Sequence, residues 1–233
     1  MKNIVSLAGT VTNITEAYTY TNNQDGHKDI FYQLMIKVPR LSDMYDVLPV
    51  IVSDKLLIHT ELKEDMYVAV TGNIRTRNYE ENGRKHLQVY CYAEDIDIIE
   101  KQEYERIQDK NIVAVEGYLC KRPTYREMKS GRVISDMLLA VNRNIPSKGI
   151  VRSSYVPCIA WGLNAKAASK LHVGDIIGLN GRFQSRKFRR KEESGYTENI
   201  AYEISIANFA VFEKPKEEKP EVKTTVEEEK LLA

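Results

Sequence analysis

Gly181-Arg-Phe-Gln-Ser-Arg-Lys-Phe188 repeats the pattern of Gly72-Asn-Ile-Arg-Thr-Arg-Asn-Tyr79, with glycine first, arginine sixth and an aromatic ring last. Alternate residues of an extended strand face the same side. Arg182, Gln184, Arg186 and Phe188 therefore share one face, and Phe183 and Ser185 point the other way, toward an interior. Asn73, Arg75, Arg77 and Tyr79 form the matching face of the earlier copy. Two guanidiniums, an amide and a ring on one strand face provide cations for phosphates and a flat surface for bases.

The two copies lie 109 residues apart, and a second pair keeps nearly the same spacing. Asn3-Ile-Val-Ser-Leu-Ala-Gly9 recurs as Asn111-Ile-Val-Ala-Val-Glu-Gly117, at an offset of 108, as do Pro49 and Pro157. A period this long marks a duplicated domain, not a solenoid. The halves fall at 1–107 and 108–213. The remaining segment, 214–233, holds eleven charges and two prolines but no aromatic residue or glycine. Such a composition buries too little apolar surface to order itself, so a flexible charged tail is expected.

The second half reads as strands over Val133–Val141, Tyr155–Trp161, Ile176–Phe188 and Ile200–Phe212, rich in β-branched and aromatic residues. Pro157 points to an edge or bulge position. Asn164–Leu171, with three alanines, is the one good helical run, and Gly174 stops it. Three strands, a short helix and two strands in about 100 residues fit the five-stranded OB-fold barrel. The first half follows the same order, with Asp54–Leu62 as its helix and strands at Tyr67–Tyr79 and Leu87–Ile99. The fold class is all-β: two tandem OB-folds and a tail.

The 233 residues carry a net charge of +1, which by itself says nothing of a polyanion partner. Divided by region, residues 1–109 hold 12 basic and 18 acidic side chains, and residues 110–213 hold 17 and 9. An acidic first half thus masks a basic second half, and that asymmetry points to a polyanion partner for one half. Tyr155, Pro157, Ile159 and Trp161 share one face of their strand, and Val156, Cys158 and Ala160 fill the other. The small apolar set suits a barrel interior and leaves two rings outside. Lys121, Arg122 and Arg126 form a second basic cluster, and Lys187, Arg189, Arg190 and Lys191 crowd a hairpin tip.

No nucleophile–base pair stands out, and no phosphate-cradling glycine motif occurs, so an enzyme is not expected. The three cysteines form no CxxC and the four histidines are isolated, so neither metal nor other cofactor is expected. No apolar run reaches the ~18 residues of a membrane span. The first residues lack the pattern of a secretory signal. A cytoplasmic location follows as the expectation.

The second half resembles the bacterial single-stranded DNA-binding proteins. The matching stretches are Asn111–Leu119, Arg122–Arg126, Ser130–Val133, Leu139–Arg143, Ile159–Gly162, Val173–Asp175 and Gly181–Phe188, in family order across nearly all of 110–213. The resemblance implies sequence-independent binding of single-stranded DNA in replication, recombination or repair. It places stacking rings at Tyr155, Trp161 and Phe188, with Tyr79 the counterpart in the first half. Phosphate contacts are expected from Lys121, Arg122, Arg126, Arg143, Arg182, Arg186, Lys187, Arg189 and Arg190, and from Arg75 and Arg77. In the first half Val47 stands opposite Tyr155 and Ser53 opposite Trp161. With two of three rings missing and an acidic balance, that barrel is expected to bind weakly or not at all, unless Tyr18, Tyr20, Tyr45 or Tyr90 supplies replacements. Family members assemble as four barrels, so two per chain imply a homodimer. They also recruit replication and repair proteins through an acidic tail with an aromatic tip. The end here, Glu227-Glu-Glu-Lys-Leu-Leu-Ala233, is acidic without such a tip. An accessory protein-docking module and an RNA-binding OB protein are the competing readings.

Overall fold

The computed structural model describes residues 1–21, 26–58, 61–81, 83–145, 150–192 and 195–213, the side chains of 144, 145 and 190–192 excepted. The expected tail 214–233 and the side chain of Arg190 lie outside the described residues.

The first copy contains β1 (Asn3–Thr21), β2 (Lys28–Pro39), β3 (Tyr45–Ser53), β4 (Tyr67–Glu81) and β5 (Arg84–Ile99). Its strands run β2-β3-β5-β4-β1, and pairing of β1 with β2 closes the barrel. After the short helix α1 (Lys101–Arg106) come β6 (Asn111–Leu119), β7 (Thr124–Glu127), β8 (Val133–Ile145), β9 (Ile150–Trp161), α2 (Gly162–Ala168), β10 (Ile176–Glu192) and β11 (Gly195–Phe212). The order β6-β10-β11-β9-β8 repeats the first barrel, with β7 added at the edge and β6 paired to β8. Both barrels have the strand order and connectivity of the OB-fold.

Two details of the repeated sequence find their cause here. Asn3 donates to the Ile74 carbonyl and accepts from the Ile74 N–H, and Asn111 does the same with Phe183. Each asparagine thus ties the first strand of its barrel to the fourth. Gly72 and Gly181 stand at matching bulges, where β4 meets β5 and β10 meets β11. A Cβ would lie 2.1 Å from the Tyr92 carbonyl oxygen at Gly72, and 2.2 Å from that of Ser205 at Gly181. Only glycine allows so close a backbone approach.

Strand alternation sorts the side chains as expected. Val5, Leu7, Val113, Val156, Cys158, Ala160 and Phe183 are buried. Each large apolar side chain so buried contributes about 1.5–3 kcal/mol. Ile159 departs from the parity reading: it shares the Trp161 face yet is buried. Pro157 lies in mid-strand opposite Leu138, one residue before the short parallel pairing of β9 with β11 begins.

The two helices differ. Gly162–Ala168 forms as its alanines predict, and Ala165 and Ala168 pack into the barrel. The expected helix Asp54–Leu62 is corrected to a three-residue 3₁₀ turn, Asp54–Leu56, capped by the Ser53 hydroxyl; residues 59 and 60 lie outside the described residues. β-Branched Ile58 and Thr60 are poor helix formers, and no alanine offsets them.

Antiparallel pairing of β1 with β6, from Asn3↔Val115 to Leu7↔Asn111, joins both barrels into one eleven-stranded sheet. A second seam runs between the ends of β3 and β10 and of β9 and β4. The Asp46 carboxylate, 1% exposed, accepts from Arg40 and from the N–H and hydroxyl of Ser185. At the equivalent place Thr76 N–H donates to the Ser154 hydroxyl, and Tyr155 N–H donates to the Thr76 hydroxyl. Asp46 and Ser154 are counterparts at the 108-residue offset, as Thr76 and Ser185 are at 109. The seam has approximate two-fold symmetry, with a charged clamp on one side and a neutral one on the other.

Candidate nucleic-acid interface

On the second barrel Tyr155, Trp161 and Phe188 all stand on the surface, 49, 38 and 37% exposed. At about 3.3 Å per strand residue, Tyr155 and Trp161 lie roughly 20 Å apart along β9. The rings are spread along the sheet and not gathered into a pocket, which suits an extended chain. Neighbours orient them. Trp161 donates its Nε1–H to the Ser205 hydroxyl at 3.2 Å. The Tyr155 backbone is held by Thr76 of the first barrel. The Arg186 guanidinium lies 5.9 Å from the Phe188 ring centre, within cation–π range.

The basic set divides into committed and uncommitted cations. Arg186 pairs with buried Glu203, which also accepts from Gln184. Arg126 pairs with Asp136, and Lys187 with Glu198. Arg182 reaches across the seam to the Pro39 carbonyl. Lys121, Arg122, Arg143, Arg189 and Arg77 form no ion pair among the described residues.

Arg75 lies over the Tyr92 ring at 3.3 Å and donates to Asn73. Burial first, and the charge of Arg143 second, pull its guanidinium below the ordinary value. Arg75 and Arg143, one from each barrel, thus repel each other beside a polar cleft of about 460 Å³ that Asn3, Asn73, Asn142 and Arg143 help to line. An anion placed there relieves the repulsion.

On the first barrel Tyr79 is exposed and stacks on His86, 5.2 Å between ring centres. Of the possible replacement rings, Tyr18 and Tyr90 line a common cleft with Arg77, whereas Tyr20 and Tyr45 lie exposed, Tyr45 beneath Lys37. The sequence reading missed Phe31 and Tyr92, which form a group with Tyr18: Phe31 stacks on Tyr18 at 4.6 Å and tilts toward Tyr92 at 6.2 Å. Their signal is present in the sequence but shows only once the register of β2 against β3 is known.

Residues 110–212 match the family model described as the single-strand binding protein family. A single-stranded DNA-binding protein of Clostridium tetani is 30% identical over 103 residues, which cover 42% of this chain and 71% of that protein. The chain belongs to the single-strand binding protein family. A single-stranded DNA-binding protein of Thermus aquaticus is 28% identical over 131 residues, 52% of this chain and half of that protein's length. The crystal structure of the wild-type single-stranded DNA-binding protein from Thermus aquaticus superposes with a TM-score of 0.70 at 20% identity. It covers 92% of this chain and 94% of that one, so the shared fold extends through both barrels. The family match itself falls on the second barrel.

Among the described residues no group of three or more His, Cys, Asp or Glu could hold a metal ion. Among them, no helix is long and apolar enough to cross a membrane.

Proposed function

We propose that this chain binds single-stranded DNA without regard to sequence and acts in replication, recombination or repair, as a binding protein and not an enzyme, in the cytoplasm. The observation that carries the reading is the outward placement of Tyr155, Trp161 and Phe188 on the basic barrel that matches the family model. Bases stack on the three rings, and Tyr79 continues the set on the first barrel. Lys121, Arg122, Arg143 and Arg189 meet phosphates directly. Arg126, Arg182, Arg186 and Lys187 do so by exchanging their present partners. Arg75 and Arg77 serve the first barrel.

The chain divides into functional units at 1–107, 108–213 and 214–233. Two copies associate into a dimer of four barrels through the outer sheet face at the β1–β6 join, where Ile4 and Ile112 are exposed. Sedimentation that finds only monomer removes this part of the account.

The test is a Trp161→Ala, Phe188→Ala double variant. At about 1–3 kcal/mol per stacked base, it loses about 2–6 kcal/mol of affinity for oligo(dT). A protein-docking module would lose nothing. Competition by an RNA oligomer of equal length separates DNA from RNA preference, because only RNA offers the 2′-OH.

A further inference from the structure

We infer that the neutral end of the seam is an oxyanion site, a seat for one carboxylate or phosphate group held by arginines of both barrels. The two-fold likeness of the seam carries the inference. Asp46 faces Val38 on the β2–β3 ladder, and Ser154 faces Val141 on the β8–β9 ladder. Arg40 and Arg143 each stand two residues beyond those valines, so they are counterparts. Met44 and Arg152 are counterparts as well, and so are Gln184 and Arg75. One end of the seam thus holds Arg40, Met44, Gln184 and Asp46. The other holds Arg143, Arg152, Arg75 and Ser154 in the same four positions. Where the first set has one cation and one acid, the second has three cations and no acid.

At the charged end the Asp46 carboxylate accepts from Arg40 Nε at 2.9 Å and Nη2 at 2.6 Å, with both Ser185 donors beside them. At the neutral end Arg143 stands directly opposite Arg152 on the ladder. Like charges so placed destabilise a sheet. Burial first, and the Arg143 charge second, hold the Arg75 guanidinium below its ordinary value, so the cation of one barrel feels that of the other. Arg75 donates Nε–H to Asn73 at 2.7 Å, and the Glu94 carboxylate is taken up by the Asn73 amide. Among the described residues Arg75, Arg143 and Arg152 form no ion pair.

An oxyanion between the guanidiniums supplies the negative charge that Asp46 gives the other end. Guanidinium bonds to carboxylate and phosphate are short, paired and strong. The cleft of about 460 Å³ beside them has room for such a group, and Asn142 and Tyr118 help to line it. Asn142 Oδ1 accepts from the Ser153 hydroxyl, which leaves its amide N–H groups to donate. Thr76, next to Arg75, holds the Tyr155 N–H, so an anion at this seat steadies the strand that carries a stacking ring. The anion comes from solution or from the backbone of a bound strand. Only the second source rests on the single-stranded DNA reading above.

Thermal unfolding of the full chain in sodium phosphate, against sodium chloride of equal ionic strength, tests the site. Inorganic phosphate at about ten times its Kd should raise the midpoint of the unaltered chain by about 3–6 °C. Arg143→Gln removes that gain. Ser154→Asp supplies the carboxylate from within, so its midpoint in chloride rises and phosphate adds nothing specific. All three chains share any general effect of phosphate as a salt, so the differences between them report the seat alone. Titration of the Ser154→Asp chain with oligo(dT), followed by Trp161 fluorescence, separates the two sources. A backbone phosphate excluded from the seat makes the slope of log K against log salt shallower by about 0.7. A phosphate-specific gain in the unaltered chain with an unchanged slope assigns the seat to a free anion. Equal response of the three chains to phosphate, together with an unchanged slope, overturns the inference. That result leaves the wider reading intact so long as oligo(dT) quenches Trp161 of the unaltered chain.

Discussion

Ser185 gives both its backbone N–H, at 2.7 Å, and its hydroxyl, at 2.9 Å, to the same Oδ1 of Asp46. One carboxylate of the first barrel thereby fixes the strand of the second that carries Arg186 and Phe188. The seam between the barrels and the strand that carries the interface meet at this contact.

Asp46→Ala leaves two Ser185 donors without their acceptor in a buried place and leaves the Arg40 guanidinium only the Ser185 carbonyl. It should lower stability by about 3 kcal/mol, read from urea unfolding. Ser154→Ala, at the neutral counterpart, should cost no more than about 1 kcal/mol. Equal losses would show that the charged clamp has no special weight.

Glu203→Gln keeps the shape beside Gln184 but removes the charge that engages Arg186. The freed guanidinium becomes available to phosphate. Affinity for oligo(dT) should rise, because Arg186 no longer has to give up Glu203 to meet a phosphate, while the slope of log K against log salt, set by the number of phosphate contacts, should stay as it was. Unchanged affinity would show that Arg186 does not reach the DNA.

Gly181→Ala forces a Cβ against the Ser205 carbonyl beside Trp161. Overpacking of this kind costs about 1–3 kcal/mol. Thermal unfolding should show the loss, and Gly72→Ala should show a similar one at the first-barrel counterpart. A neutral effect at both would mean that the bulges can shift without cost.

Burial pushes the Cys91 thiol up to about 12 and raises that of Cys158 further. Both raised values favour the neutral thiol at every physiological pH, and the thiolate is the reactive form. Half-exposed Cys120 is raised as well, by burial first. A disulfide reagent at pH 8 should titrate one thiol slowly in the native chain and three in denaturant. Rapid reaction of three native thiols would contradict the closed barrels.

Much of the architecture was legible in the residues. The asparagine at the start of each repeat and the glycine 69 or 70 positions on carry tertiary constraints, so the duplication appeared as sequence identity. Strand parity placed Trp161 outside and Phe183 inside because a barrel wall has only two faces. The helix at 54–62 misled because it was carried over from the element order of the second half, whose three alanines this stretch lacks. The partners of Arg186 and Arg126 could not be read, because Glu203 and Asp136 meet them only across strands. The rings at 31 and 92 escaped for the same reason: Phe31 meets Tyr18 and Tyr92 only across strands.

The single tryptophan offers the most direct test of the central claim. Titration of the full chain with oligo(dT), followed by Trp161 fluorescence at low and moderate salt, should show strong quenching that weakens as salt rises. Unchanged emission, with binding detected by fluorescence anisotropy, would place the DNA elsewhere and contradict the assignment of the second barrel's outer face.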